Sequence, residues 1–259
     1  MKKSESTGSK LPAAGSLAAV ALLWLLASEG KLVPSFLLPS PAAVCRALAE
    51  DAPVLLENAA VTLLEAALGL AAGILSALVL ATLMHRVPAL YRALYPILVI
   101  TQTIPTVALA PLLVLWMGFG MAPKVTLVAL TTFFPIAVSL LEGYAGADRA
   151  SADLLRSMGA NRGQIFRHLE FPSALSHFFS GLRVSASYAV VGAVISEWLG
   201  GFRGLGVYMT RVKKAYAFDK MFAVILVIVA VSLLLMALVT ALQRRACPWE
   251  AYEKIERND

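Results

Sequence analysis

Six apolar runs, punctuated by short polar segments, organise this 259-residue chain. They cover positions 11–28, 61–84, 94–116, 123–141, 178–199 and 221–242. At 1.5 Å per residue, each approaches or exceeds the roughly 30 Å of bilayer hydrocarbon. A span must satisfy its backbone hydrogen bonds internally, so runs of this length predict helices. The pattern therefore predicts an all-α, polytopic membrane protein with six transmembrane helices, residues 1–259 forming one transmembrane domain. The polar start, residues 1–10, precedes an apolar run as in a signal peptide. No convincing small-residue cleavage site follows and more spans do, so a retained first helix is expected.

The connectors carry their own signals. Segment 31–58 holds Pro34, Pro39, Pro41 and Pro53, and its "LLPSPAAVCRAL" predicts an extended entry followed by a short helix, because Pro is accepted in a first helical turn. "GFGMAP", from Gly118 to Pro123, predicts a tight turn. Segment 148–172 breaks the apolar pattern with Arg149, Arg156, Arg162, Arg167, Asp148, Asp153, Glu170 and His168. Asp148 is suited to cap a first short helix. Gly159 is suited to end it in the left-handed conformation that helix C-termini favour. Asn161 and Gln164 form a capping-box pattern for a second helix. Pro172 is expected to end that helix and help open the next span. Leu154, Leu155, Met158, Ile165, Phe166 and Leu169 would supply an apolar face, with Arg156, Arg162 and Arg167 left to a solvated partner. From the residues alone, the segment suits anionic headgroups, a docking protein or simply a long solvated loop.

Composition narrows the class. Hydrophobic residues make up 59% of the chain, mean hydropathy is +0.77, and only 15% of residues are charged, against about 25% in soluble domains. The net charge of +6 does not point to nucleic acid, because the basic residues are dispersed between apolar runs and form no footprint. It reports topology instead. With the N-terminus in the cytoplasm, thirteen Lys and Arg residues fall inside against eight outside. Five of those eight, Arg203, Arg211, Lys213, Lys214 and Lys220, share the loop between the last two runs. Both tails, residues 1–10 and 243–259, are then expected in the cytoplasm. Cys45 and Cys247 lack metal or disulfide spacing, and His85, His168 and His177 are scattered without an HExxH pattern. No GxxxxGK[ST] phosphate cradle is present. Covalent catalysis, a metal site and a cofactor of the chain's own are therefore not expected.

Segment 148–172 resembles the hallmark loop of the membrane-spanning permease subunits of bacterial binding-protein-dependent ABC importers: E-A-A, three residues, G, nine residues, I-x-L-P. Asp153, Leu154, Leu155, Gly159, Leu169, Phe171 and Pro172 stand at those spacings. Gly and Pro are retained, while Asp replaces Glu, Leu replaces both Ala and the Ile, and Phe replaces Leu. The resemblance extends through "LPSPAAV", "YPILVITQTIPTVALAPLLVLWMGFG", "FFPIAVSLLEGY" and "GAVISEWLGGFRGLGVYM". These are similar to the branch importing nitrate, taurine, alkanesulfonates and the pyrimidine precursor of thiamine. "LLRSMGANRGQIFRHLEFPSALSHFFSGL" is most similar to the hydroxymethylpyrimidine permeases. The resemblance implies a type I importer permease fold and a bacterial cytoplasmic membrane location. It also implies a homodimer, two cytoplasmic ATPase subunits that bind the ATP, and an external substrate-binding protein. Loop 148–172 would be the coupling helix, with Asp153, Leu154, Leu155, Arg156, Gly159 and Pro172 as ATPase-coupling residues.

Polar groups inside a bilayer are costly and default to a functional expectation. Thr101, Gln102, Thr103 and Thr106 accompany Pro105 and Pro111 in the third run, which places them near a solute pathway or in interhelical hydrogen bonds. Glu197 is a gate candidate or a partner for Arg203 or Arg211, and Trp198 an interfacial anchor. "GLAAG", from Gly69 to Gly73, and the glycine at 192 favour close helix packing. "GGFRGLGVYMTRVKKAYAFDK" predicts a turn and a short amphipathic helix. A self-sufficient secondary transporter is the alternative class, yet no repeated halves or Asp/Glu/His relay support it.

Overall fold

The computed structural model describes residues 10–30, 33, 34 and 36–249. Residues 1–9 and 250–259, with Lys2, Lys3, Lys254 and Arg257 of the expected tails, lie outside the described residues, as does Lys31. Every regular element among the described residues is helical. In chain order these are α1 (Lys10–Glu29), α2 (Pro41–Glu50), α3 (Ala52–Arg86), α4 (Pro88–Thr101), α5 (Thr106–Met117) and α6 (Met121–Ala145). Then come α7 (Arg149–Ser157), α8 (Arg162–Ile165), a π-helical turn (Phe166–Glu170), α9 (Phe171–Gly200), α10 (Leu205–Lys214) and α11 (Phe218–Ala246). They fall into two compact units. One contains the described residues up to Glu57 together with Tyr208–Val227, the other Asn58–Val207 and the described residues from Ile228.

In the first unit, the expected short helix after the extended entry is α2. The Ser40 hydroxyl accepts the Ala43 N–H at 3.3 Å, and Pro41 fills the first turn, where its missing N–H costs nothing. Val44 and Ala47, three residues apart and so on one face, are buried with Ala223 against Trp24, Leu48 and Phe222. The Trp24 indole N–H donates to the Pro39 carbonyl at 3.0 Å while its ring stacks on Phe222. Asp51, between α2 and α3, accepts from the Tyr208 hydroxyl and from Lys220 Nζ at 2.8 Å.

Those donors, Lys220 first, hold the Asp51 carboxyl below the usual carboxylate range. Burial, and secondarily Asp51, pushes the Tyr208 phenol up, so it stays a donor. A depressed native pKa contributes stability that is complete above the unfolded value of about 3.9 and disappears as pH falls through the native value. Protection of the α10 amides in hydrogen exchange is therefore expected to drop on acidification below about pH 4. Asp51→Asn should lower it already at neutral pH by about 1–3 kcal/mol and flatten its pH dependence. Unchanged protection in this variant would remove Asp51 as the brace.

The second unit is built around α9. In its apolar window 61% of residues are buried, against 28–39% in the other long helices. Glycines set the contacts. A Cβ on Gly181 would lie 2.6 Å from the Pro135 carbonyl oxygen, and one on Gly143 2.7 Å from Ala174 Cα, so α6 and α9 touch backbone to backbone in antiparallel sense. A Cβ on Gly69 would lie 2.4 Å from Val128 Cβ, and one on Gly73 2.2 Å from Thr132 Oγ1. The "GLAAG" run thus serves close packing, as expected of small residues between helices. The two contacts advance together along both helices, so α3 and α6 run parallel.

That parallel arrangement constrains what lies between them. Among the described residues, Ala52–Arg86, Met121–Ala145, Arg162–Gly200 and Phe218–Ala246 are long and apolar enough to cross a membrane. The third expected span is instead two helices, α4 and α5, meeting at 101°. At 1.5 Å per residue they measure about 21 and 18 Å, each short of a full crossing. Because α3 and α6 run the same way, the bent pair must return the chain from the far end of α3 to the near end of α6. It acts as one broken crossing. The break follows from local chemistry. Thr101 and Thr103 hydroxyls donate to the Leu98 and Ile100 carbonyls at 2.7 and 2.8 Å, drawing off the acceptors of the last turn. Pro105 offers no N–H and disfavours helix at Ile104.

The count of six is thus reached only in part. Among the described residues, four helices are long and apolar enough to cross and the bent pair makes a fifth, while α1 occupies the first expected run, its described apolar part, Ala18–Glu29, being shorter than a full span. The helix α11 continues to Ala246, so the expected tail from 243 begins as helix.

Candidate functional site

At one end of the second unit, the turn from α6 to α9 forms the charged loop. Asp148 caps α7 through Ala150 and Ser151 N–H groups, at 3.3 and 2.9 Å, and through the Ser151 hydroxyl. These donors, the Ser151 side chain foremost, hold the Asp148 carboxyl below the usual range, so the cap is ionised at neutral pH. The chain turns at Gly159, whose φ of +87° is a left-handed value costly for other residues. The Asn161–Gln164 capping box is complete, at 2.9 and 2.8 Å. Helix, corner and second helix are therefore as the sequence predicts.

Pro172 is different. The expected stop is absent, and helix runs unbroken from Arg162 to Gly200. The turn Phe166–Glu170 widens to a π-helix immediately before the proline. A wide turn relieves the clash between the Pro ring and the carbonyl four residues back, which is how a proline is carried here without a break.

The expected apolar face of the loop divides in two. Ile165 is buried, and Leu155, Phe166 and Leu169 are half-buried. Leu154 and Met158, one helical turn apart, are 62% and 75% exposed. Beside them Asp153 and Arg156 pair at 2.6 Å on the outer face of α7. An exposed apolar pair flanked by charges on a rigidly capped helix is a shape for docking.

At the opposite end of α3, α6 and α9 lies a polar cluster within the apolar interior. Lys124 Nζ donates to Glu65 Oε1 at 2.6 Å, the side chains being 7% and 2% exposed. Glu65 Oε2 is buried without a hydrogen-bond partner among the described residues. Glu197, 1% exposed, accepts from the Thr62 hydroxyl at 2.7 Å and from the Gly206 N–H. Thr62 also accepts the Leu205 N–H at 2.9 Å, and Asn58 Oδ1 the Gly204 N–H at 2.8 Å. The carboxylate displaces any side chain at Gly204, where a Cβ would lie 2.2 Å from Glu197 Cδ. The segment after α9 is thereby tied to α3 through its backbone.

Glu197 stands out in the sequence as a site candidate, whereas Glu65 and Lys124 do not. The signal was present: each is an ionisable residue within a run otherwise fit for hydrocarbon. What it lacked was a partner, since the two lie 59 positions apart.

The pathway candidates separate into two groups. Thr101, Gln102 and Thr103 are exposed at the bend, and half-buried Thr106 opens α5. Glu197 is sealed inside, while Arg203 is exposed in the link from α9 to α10. Gly200 faces Val114 near the other end of α5, about 12 Å along the helix from Thr106. The structure does not bring the two groups together.

This architecture has known counterparts. Residues 69–246 match the family model described as binding-protein-dependent transport system inner membrane component. The chain is 38% identical over 214 residues to a probable ABC transporter permease protein of Haemophilus influenzae, covering 83% of this chain and 87% of that one. It is 37% identical over 215 residues to the formylaminopyrimidine transport permease protein ThiX of Halalkalibacterium halodurans, covering 83% and 86%. A solved structure of the MetNI methionine ABC transporter in inward-facing conformations superposes with a TM-score of 0.66 at 19% identity, over 74% of this chain and 96% of that one. With an all-helical bundle, apolar spans and a capped charged loop already in place, these likenesses show that the chain belongs to the inner-membrane components of binding-protein-dependent transport systems, as a multi-pass permease of the ABC importer class.

Proposed function

We propose that this permease passes a pyrimidine precursor of thiamine, of the formylaminopyrimidine or hydroxymethylpyrimidine type. The observation that supports the substrate class is the likeness to a permease named for formylaminopyrimidine across more than four fifths of both chains. Two copies of the chain would enclose the pathway, with an external binding protein delivering the solute and a pair of cytoplasmic ATPases supplying the energy. Loop 148–172 would dock on the ATPases through Leu154, with Asp153 and Arg156 as polar contacts, Leu155 and Pro172 as its inner supports and Gly159 as the corner. Loop and tails then lie in the cytoplasm, and the cluster around Glu197 faces the outer leaflet. Arg86, Arg92, Arg149, Arg156, Arg162 and Arg167 gather at the loop end, in keeping with the positive-inside rule. The bend with Thr101, Gln102, Thr103 and Thr106 would line the pathway, because broken backbone at membrane depth is tolerated where it borders a cavity or neighbouring helices. Glu197 and Arg203 would shape its outer end.

The test is to purify the complex with its binding protein and measure which solute that protein retains. Retention of formylaminopyrimidine or hydroxymethylpyrimidine is expected. Retention of taurine, an alkanesulfonate or nitrate instead overturns the substrate and leaves the permease role standing.

A further inference from the structure

Three elements meet where the charged loop rejoins the helices of the second unit. Thr82, His85 and Arg86 come from α3, Tyr144 from the end of α6, and Phe166 and Glu170 from the π-turn. His85 Nε2 lies 2.8 Å from Glu170 Oε2, and both side chains are 24% exposed. A carboxylate only accepts, so Nε2 is the donor. The same imidazole stacks on the Tyr144 ring, centroids 4.6 Å apart. Tyr144 is fixed in turn by a 3.0 Å hydrogen bond between its hydroxyl and Thr82. Phe166 packs 5.6 Å from Tyr144, and the Arg86 guanidinium sits 4.6 Å over the Phe166 ring. The imidazole makes both contacts at once, in its plane with Glu170 and by its face on Tyr144.

The π-turn gives this knot a mechanical meaning. Such turns interrupt the regular α-helical ladder and are common places for a helix to bend, and this one separates α7 and α8 from the long span α9. Were α9 the only connection, a displacement of the loop would relax at the wide turn. Side-chain links across the turn remove that freedom, because packed elements shift as units between discrete arrangements. We propose that His85 is a positioning residue for energy coupling, carrying displacement of loop 148–172 into α3 at the π-turn itself, through Phe166 at its loop end and Glu170 at its α9 end, and into α6 through Tyr144. This inference rests on the reading of the loop as the ATPase-docking element.

The experiment uses the full complex with its ATPase subunits in nanodiscs. Nitroxides are placed on α3 (Val79→Cys) and at the start of α7 (Arg149→Cys), with Cys45→Ser and Cys247→Ala removing the native thiols. Pulsed EPR then reads the loop-to-α3 distance with and without ATP and vanadate. With His85 present, the distance should not change on nucleotide trapping, because loop and α3 move together. In His85→Ala, with ATPase still bound and hydrolysing, trapping should shift the distance. His85→Gln, which keeps a donor for Glu170, should reverse part of that shift. If His85→Ala does not assemble, Glu170→Gln weakens the same link without removing the ring, and the same shift is expected. A distance that stays fixed in whichever of these variants assembles, with ATPase bound, overturns the role of His85 alone. Absence of ATPase from the His85-containing complex overturns the docking reading and this inference with it.

Discussion

Lys124→Met is expected to cost the permease about 3–5 kcal/mol, the penalty for leaving a buried carboxylate without its partner. Glu65 is 2% exposed and has one oxygen already unpartnered, and Glu197 is an electrostatic neighbour of the same group. Removing the ammonium therefore strands negative charge that water cannot reach. The loss should appear as a collapse of yield in detergent and of unfolding temperature. The double variant Glu65→Leu/Lys124→Met removes both charges and should recover most of the stability, because a buried ion pair exchanged for apolar residues of similar volume is often neutral or better. A single variant as stable as the parent protein would mean that the pair is hydrated in the bilayer. Recovered stability without recovered transport in the double variant would assign the pair to the transport cycle rather than to the fold.

The second large effect concerns association. Leu154→Asp should leave permease stability within about 0.5 kcal/mol, since the side chain is already 62% exposed. Affinity for the ATPase subunits should fall by about 2 kcal/mol or more, which is roughly thirtyfold. Leu155, half-buried one position on, separates the two effects: Leu155→Asp should lower stability as well. Gly159→Val tests the corner. Open space surrounds a Cβ there, but φ of +87° would cost a β-branched residue about 1–2 kcal/mol and tilt α7 away from the angle the proposed docking requires. Pull-down of ATPase alongside thermal unfolding of the permease reads both quantities. Full association of Leu154→Asp would show that the exposed pair Leu154 and Met158 is not the docking face.

What the residue order determined by itself was local. Apolar runs marked the spans because hydrocarbon admits only internally bonded backbone. Asp148, Gly159, Asn161 and Gln164 set the loop, since capping and left-handed turns depend on residues within one helical turn of each other. The short helix after "LLPSP" and the close packing at Gly69 and Gly73 were legible for the same reason: proline and missing side chains act where they stand.

Tertiary structure decided whatever depends on distant partners. The bend between α4 and α5 reads as one crossing only because the contacts of Gly69 and Gly73 make α3 and α6 parallel. Pro172 looked like a helix stop, yet the π-turn before it absorbs the ring and the helix continues. Lys124 and Glu65 were each costly alone, and only their 2.6 Å contact explains how apolar runs tolerate them. Likewise the division of the loop's apolar residues into buried Ile165 and exposed Leu154 and Met158 depends on where α6 and α9 bring its ends. A periodic sequence specifies a helix and its faces. Which face meets protein, and which charge meets its counter-charge, is set by packing between segments far apart in the chain.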